Sequence, residues 1–380
     1  IDFVHTTTLS FFKEDMPFQP ESMIFMQRRK IFSSYNVKVK AGEKITIEKI
    51  SNVHTTRDLD NQGLSLKELQ EKALEELKSV GAKGYISLSY ESAKAWEETL
   101  WSKEEINISS EEAFDQLAIR FAQYHLRVMT PLHDKRMSIG AKGISGEGYR
   151  GHSFWDTEIF ILPYYTFTNP EEARRLLEYR YLTLPGARRK ARENNYRGAQ
   201  FPWESAWLDD GEVTPIWGAA DIVTGERTKI WSGFIEQHIT SDIAFAVWQY
   251  YIATGDQEFM DSYGYEIILD TAIFWASRLE YSEEDKLYHI NNVVGPDEYK
   301  EHVDDNAFTN YMAYWNIEKA VEYCEYLKAN KKEIYERLDS CLDLTAAYTE
   351  WLDKKDKIYL PKARKEDGVI PQDKTYLTLE

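Results

Sequence analysis

Cysteine is nearly absent. Cys324 and Cys341 are the only two in 380 residues, too few for a disulfide framework. Both fall in helical patterns, where buried free thiols are expected. No apolar run approaches the roughly 20 residues of a membrane span. Positive charge is outweighed, with 46 Lys and Arg against 64 Asp and Glu and a net charge of −18. Such a surface repels a phosphate backbone or an anionic bilayer, so neither nucleic acid nor a membrane is expected as a partner. The eight histidines show no H-E-x-x-H or comparable spacing, and no metal site is expected. Gly146-Glu-Gly-Tyr-Arg-Gly151 fits G-x-G-x-x-G. No strand closely precedes it and no βαβ unit surrounds it, which argues against a dinucleotide site. The chain starts at Ile1 with no signal-peptide pattern, and a cytoplasmic protein is expected.

What is abundant is aromatic: 14%, with 11 Trp and 25 Tyr. Residues 1–60 read as part of an antiparallel β-sandwich. Its strands are expected at 1–4, 37–40 and 44–48, on side-chain alternation between turn residues. Residues 61–108 read as a helical linker, with one amphipathic helix over 64–80 ending at Gly81 and a second over 85–107. From 109 to 380 the long elements are all helical. Seven helices are predicted, near 110–129, 153–167, 171–194, 235–254, 257–280, 306–329 and 333–353. Three connections are a few residues long, so the helices they join are antiparallel neighbours. The other three, 130–152, 195–234 and 281–305, are long and rich in Gly, Trp and charge. If the hairpins repeat around a ring, all three long loops open on one end, which would carry a site. Seven helices do not close such a ring, so the barrel is expected to be incomplete.

Each long loop carries chemistry. Gly151-His-Ser-Phe-Trp-Asp-Thr-Glu158 places Trp155 beside Asp156, a flat apolar face next to a two-pronged acceptor. Sugars are held that way, by stacking on the ring and by vicinal hydroxyls on the carboxylate. Gln200-Phe-Pro-Trp-Glu-Ser205 repeats the pairing with Trp203 and Glu204. The third loop, Gly295–Asn310, crowds Asp297, Glu298, Glu301, Asp304 and Asp305 before a helix. Crowded carboxyls cannot all ionise, so one of them can serve as a general acid near neutral pH. A plainer reading makes Asp304, Asp305 and Asn306 a helix cap. His302 is expected to orient one of the carboxylates. His133, Lys135, Arg136, Lys142 and Arg150 form either a solvated loop or an electropositive lip for an anionic substrate.

The segments GEGYRGHSFWDTE, GAQFPWES and GPDEYKEHVDDNAFTN closely resemble those of glycoside hydrolase family 65, the inverting α-glucoside phosphorylases. The resemblance covers about residues 20–380. It implies a mainly α fold, a β-sandwich and a helical linker followed by an (α/α)6 barrel. It makes Glu298 the general acid, and Trp155, Asp156, Trp203 and Glu204 the pocket for the terminal glucose. It also implies inorganic phosphate as co-substrate with no other cofactor, a homo-oligomer, and phosphate-binding residues beyond Glu380. Asp221-Ile-Val-Thr-Gly-Glu-Arg-Thr-Lys229 departs from the maltose-type loop and looks more like kojibiose phosphorylases. Linkage preference is expected to follow this loop, with Thr228 offering a hydroxyl to the second sugar. The alternatives are an inverting α-glucosidase or trehalase, which needs a second carboxylate as base, and a non-catalytic sugar-binding fragment.

Overall fold

In the computed structural model of the chain, β1 (Phe3–Lys13) pairs antiparallel with β5 (Ile45–Thr55) along its whole length, and β2 (Met16–Phe18) borders β1 on its other edge. Residues 1–28, 30–143 and 146–378 are described. The first of two units, Ile1–Glu112, holds this sheet, a separate hairpin of β3 (Glu21–Gln27) and β4 (Lys30–Asn36), and helix α1 (Leu66–Trp96). A capping box starts α1, with Ser65 and Glu68 each bonding the other's backbone. Leu69 and Ala73 of α1 pack on Val4 of β1. The helix breaks at Gly84, whose φ of 72° no helix accommodates.

Residues 37–40, expected as a strand, form none. Val-Lys-Val-Lys has the alternation, but among the described residues it pairs with no strand. Lys40 instead opens a turn into β5, in which its N–H donates to Glu43 Oε2 at 2.8 Å. The strands expected at 1–4 and 44–48 are the visible ends of two much longer ones.

In the second unit, Ala113–Glu380, the long elements are all helices, as the sequence predicts. Helix α2 spans Ala113–Met129. The helix expected at 153–167 is a wide turn, Thr157–Ile161, running into α3 (Leu162–Thr168). Next come α4 (Pro170–Leu182), α5 (Leu184–Glu193), α6 (Ser232–Ile235), α7 (Ile239–Thr254) and the single turn α8 (Gln257–Phe259). Then follow α9 (Tyr265–Arg278), α10 (Ala307–Asn330), α11 (Lys332–Leu342) and α12 (Leu344–Lys354). The helix expected at 333–353 is divided by Asp343, at φ 51°, which ends α11 and caps α12. Helix α7 packs against α3, α4, α9 and α10, and α9 also meets α12. Their shared core holds Ile243, Val247, Ile268, Phe274, Ile317 and Trp351.

Short strands that the sequence did not reveal lie in two of the long loops. They are the hairpin β6 (Trp217–Ala220) with β7 (Arg227–Lys229), and β8 (Glu280–Tyr281) with β9 (Tyr288–His289).

Candidate active site

The three long loops converge on one cavity of about 400 Å³. Lys142 and Tyr149 come from the first loop, and Trp155 and Asp156 from the segment that ends it. Trp203, Glu204, Thr214, Ile230 and Ser232 come from the second, and Glu298 from the third.

Each loop is fastened below its functional residues. Ser153 and Ser205 exchange two backbone hydrogen bonds of 2.9 Å, which sets the Trp155 and Trp203 segments side by side. Two residues after Asp156, Glu158 takes a two-pronged bond from Arg180 of α4, both contacts at 2.7 Å and both side chains buried. Arg180 Nη2 also donates to Phe154 O at 2.9 Å, so one buried guanidinium fixes both ends of the Trp155–Asp156 pair.

Glu212 does the same for the second loop. Its carboxylate accepts from the backbone N–H groups of Trp203 (2.9 Å), Glu204 (3.1 Å) and Thr214 (3.1 Å), and it pairs with the buried Lys190. Although burial works against its charge, Lys190 and these donors hold Glu212 below the usual carboxylate range.

In the third loop Val293 and Val303 exchange bonds of 2.8 and 2.9 Å, pinching its base and presenting Glu298 beyond it. Gly295 sits where a Cβ would meet Asn306 Nδ2 at 2.2 Å. Only glycine lets the loop pass this close to the helix cap.

The carboxyls lining the cavity are not equivalent. Glu298 is exposed as a residue, yet enough protein surrounds its carboxyl that partial burial raises its pKa. Asp156 and Glu301 add repulsion, and His238 opposes it. Glu204 is likewise raised by burial, opposed by His152, whose Nδ1 lies 2.7 Å from Glu204 Oε2. A carboxyl that keeps its proton to higher pH, open to a cleft walled by indole rings, is suited to protonating a leaving oxygen.

The structure brings Trp155, Asp156, Trp203, Glu204 and Glu298 together, as the loop argument requires. It does not place Thr228 with them. That residue is exposed on β7 and is not among the lining residues, whereas Ile230, just past the strand, is. Gly225 makes a turn, at φ 72°, closed by its N–H to Asp221 O at 2.9 Å. His302 does not orient a carboxylate. Its Nδ1 bonds Asn292 Oδ1 at 2.7 Å and its ring meets Trp231 edge to face. Two of the five residues of the basic lip pair with neighbours, Lys135 with Glu178 and Arg136 with Asp134. Lys142 lines the cavity, over the Tyr149 ring at 5.1 Å. Among the described residues no His, Cys, Asp and Glu cluster fit for a metal ion occurs, and no helix is long and apolar enough to cross a membrane.

Sequence reasoning missed Glu212, Arg180 and a buried group behind the indoles, His238 with Glu236 and Asp242. The four-residue spacing of His238 and Asp242 on a helix was the one signal available for that group.

A cleft walled by tryptophans and carboxylates, set on the loop end of packed helical hairpins, has the form of a carbohydrate site. The chain belongs to glycosyl hydrolase family 65: the family's central catalytic domain matches residues 120–380 and its N-terminal domain matches residues 2–99. It is 50% identical to a kojibiose phosphorylase of Halothermothrix orenii over 93% of this chain and 45% of that protein. Its identity to the kojibiose phosphorylase of Escherichia coli is 39%, over 92% and 44%. A 1,2-alpha-glucosylglycerol phosphorylase of Bacillus selenitireducens is 36% identical, over 91% and 44%. The chain thus spans less than half the length of the curated relatives it matches. A solved structure of a candidate kojibiose phosphorylase from the human microbiome shares the fold, with a TM-score of 0.70 at 24% identity over 99% of this chain and 46% of that one.

Proposed function

We propose that this protein phosphorolyses an α-linked glucose disaccharide, with kojibiose the favoured substrate, to β-glucose 1-phosphate and glucose. The observation that carries the reading is the meeting of Glu298, whose pKa is raised by partial burial, with Trp155, Asp156, Trp203 and Glu204 around one cavity. The identity of 50% to a kojibiose phosphorylase supports the choice of substrate. Asp156 and Glu204 take hydroxyls of the terminal glucose while the indoles cover its faces. Glu298 donates its proton to the glycosidic oxygen as phosphate attacks C1 from the opposite side, which inverts that centre. Phosphate arrives as an anion, so no second carboxylate is required as base, unlike in an inverting hydrolase. Of the chain's segments, we assign residues 1–60 to a β domain, 61–108 to a linker and 109–380 to the catalytic domain.

The test is product analysis after incubation with kojibiose, maltose, trehalose or nigerose, with and without inorganic phosphate. Glucose 1-phosphate formed fastest from kojibiose is the expected outcome. Free glucose released equally in both conditions makes the protein a hydrolase, and no turnover makes it a sugar-binding protein.

A further inference from the structure

His238 has no part in the scheme above, yet it is fully buried at the start of α7, immediately behind the cavity wall. Its ring makes three edge-to-face contacts, with Trp155 at 4.7 Å, Trp203 at 5.5 Å and Phe308 at 5.4 Å between centroids. Both indoles proposed to hold the glucose therefore rest on one imidazole. Its two nitrogens face carboxylates: Nδ1 lies 2.6 Å from Asp242 Oδ2 and Nε2 lies 3.4 Å from Glu236 Oε1. Neither carboxylate reaches solvent. The Glu236 N–H in turn donates to the carbonyl of Ser232 at 3.0 Å, and Ser232 lines the cavity. The neighbouring Ile235 carbonyl accepts from Val294 N–H at 3.1 Å, at the base of the Glu298 loop.

We propose that His238 is a positioning residue of this site: clamped between two buried carboxylates, its imidazolium orients both tryptophan walls and supplies positive charge to the Glu298 carboxyl. This rests on the phosphorylase reading for its catalytic consequence, and on geometry alone for its structural one.

The charge balance follows from the neighbours. Burial disfavours a charged imidazole, but Asp242 and Glu236 outweigh that and push His238 up to about 9. The other ionisable groups coupled to this cluster are Glu298, which repels Glu236, and Glu158, which acts on Asp242 and is itself neutralised by Arg180. A cation here does two things. With both N–H groups taken by carboxylates, its polarised C–H edges are left to be attracted to the aromatic faces around it. It also limits how far burial can raise the pKa of Glu298, keeping the acid able to release its proton within a turnover. Because the folded pKa of His238 lies above its ordinary 6.5, its stabilising contribution is complete below that pH and is lost as pH rises through about 9.

The test combines NMR titration with kinetics on the full-length protein, using kojibiose and inorganic phosphate. In the wild type the His238 ring should remain protonated at pH 7, and a neutral ring there overturns the proposal. His238→Gln, and His238→Gln with Asp242→Asn to keep the buried pair neutral, should each raise the Glu298 titration by about one unit. The alkaline limb of kcat/KM should move up with it, and KM for the disaccharide should rise as the indoles loosen. Glu298 titrating at the wild-type pH in a folded variant overturns the proposal. Absence of phosphate-dependent turnover in the wild type removes the phosphorylase reading instead, and leaves both titrations to decide the role of His238.

Discussion

Glu298 and Asp305 belong to the same acidic stretch and have the same chemistry, but the fold treats them in opposite ways. Glu298 sits beyond the Val293–Val303 pinch, partly buried and repelled by Asp156 and Glu301. Asp305 lies on the helix side of the pinch and is buried. It is bound to His289 at 2.7 Å, to Lys374 at 2.6 Å and to Asn310 Nδ2 at 3.0 Å. Asp304 accepts from the Asn292 N–H at 2.9 Å, and Asn306 caps α10. Of the plainer reading, the cap itself falls to Asn306 alone, while Asp304 and Asp305 tie the base of the loop together. A carboxylate supplied with donors holds structure together, while one deprived of them keeps its proton and can give it away.

The strongest way to break this contrast is Glu298→Gln. The amide fills the same space but cannot act as an acid, so turnover should fall on the order of 10²–10⁴ with disaccharide binding retained. Near-normal kcat with kojibiose and phosphate would take Glu298 out of the mechanism.

Asp305→Asn should give the reverse signature. Removing one member of a buried charge cluster costs about 3 kcal/mol, read as a lower urea midpoint. Turnover per folded molecule should stay near the wild-type value. A variant of unchanged stability but lost activity would show that the two halves are not separable.

The contrast also predicts a pH dependence. Burial and carboxylate neighbours raise the Glu298 pKa above its ordinary 4.5, so the competent, protonated acid persists above that pH. Activity should decline as pH rises through the raised value. The same shift means that the group's contribution to stability is complete below 4.5 and is lost as pH climbs through its folded pKa. The check is a kcat/KM profile, in which an alkaline limb at the ordinary carboxyl value would contradict the shift.

The site's lining was legible in the sequence because its parts are local. Trp155 adjoins Asp156, Trp203 adjoins Glu204, and each pair lies in a long loop whose neighbours in the fold follow from short helix–helix turns. What stayed hidden depends on distant partners. Arg180 and Glu158 look like ordinary helix charges until α4 is packed beside the Trp155 segment. Glu212 looks like a loop acid until Lys190 meets it. The division at Asp343 hides for a different reason: an apolar helical pattern continues across it, and only the left-handed φ reveals the break. Residues 37–40 mislead in the opposite direction, since alternation describes a strand's faces but not whether the segment joins a ladder.

The smallest expected effect separates the two ends of the β6–β7 hairpin. Its tip, Ile222 and Val223, is almost wholly exposed, and Asp221 Oδ1 closes the turn by accepting from Val223 N–H at 2.9 Å and Thr224 N–H at 2.7 Å. Thr228 is exposed on β7. Past the strand the chain turns inward, Lys229 rests 3.6 Å from the Trp231 ring centre, and Ile230 reaches the cavity. If linkage preference depends on contact with the second sugar, it should respond at Ile230 rather than at Thr228. Ile230→Ala removes apolar wall and should change the kojibiose-to-maltose rate ratio by about tenfold. Thr228→Ala is an exposed substitution and should alter rates by less than about twofold. Competition assays with both disaccharides read the ratio directly. A larger shift from Thr228→Ala than from Ile230→Ala would return the second sugar to the strand itself and restore the hydroxyl contact expected from the sequence.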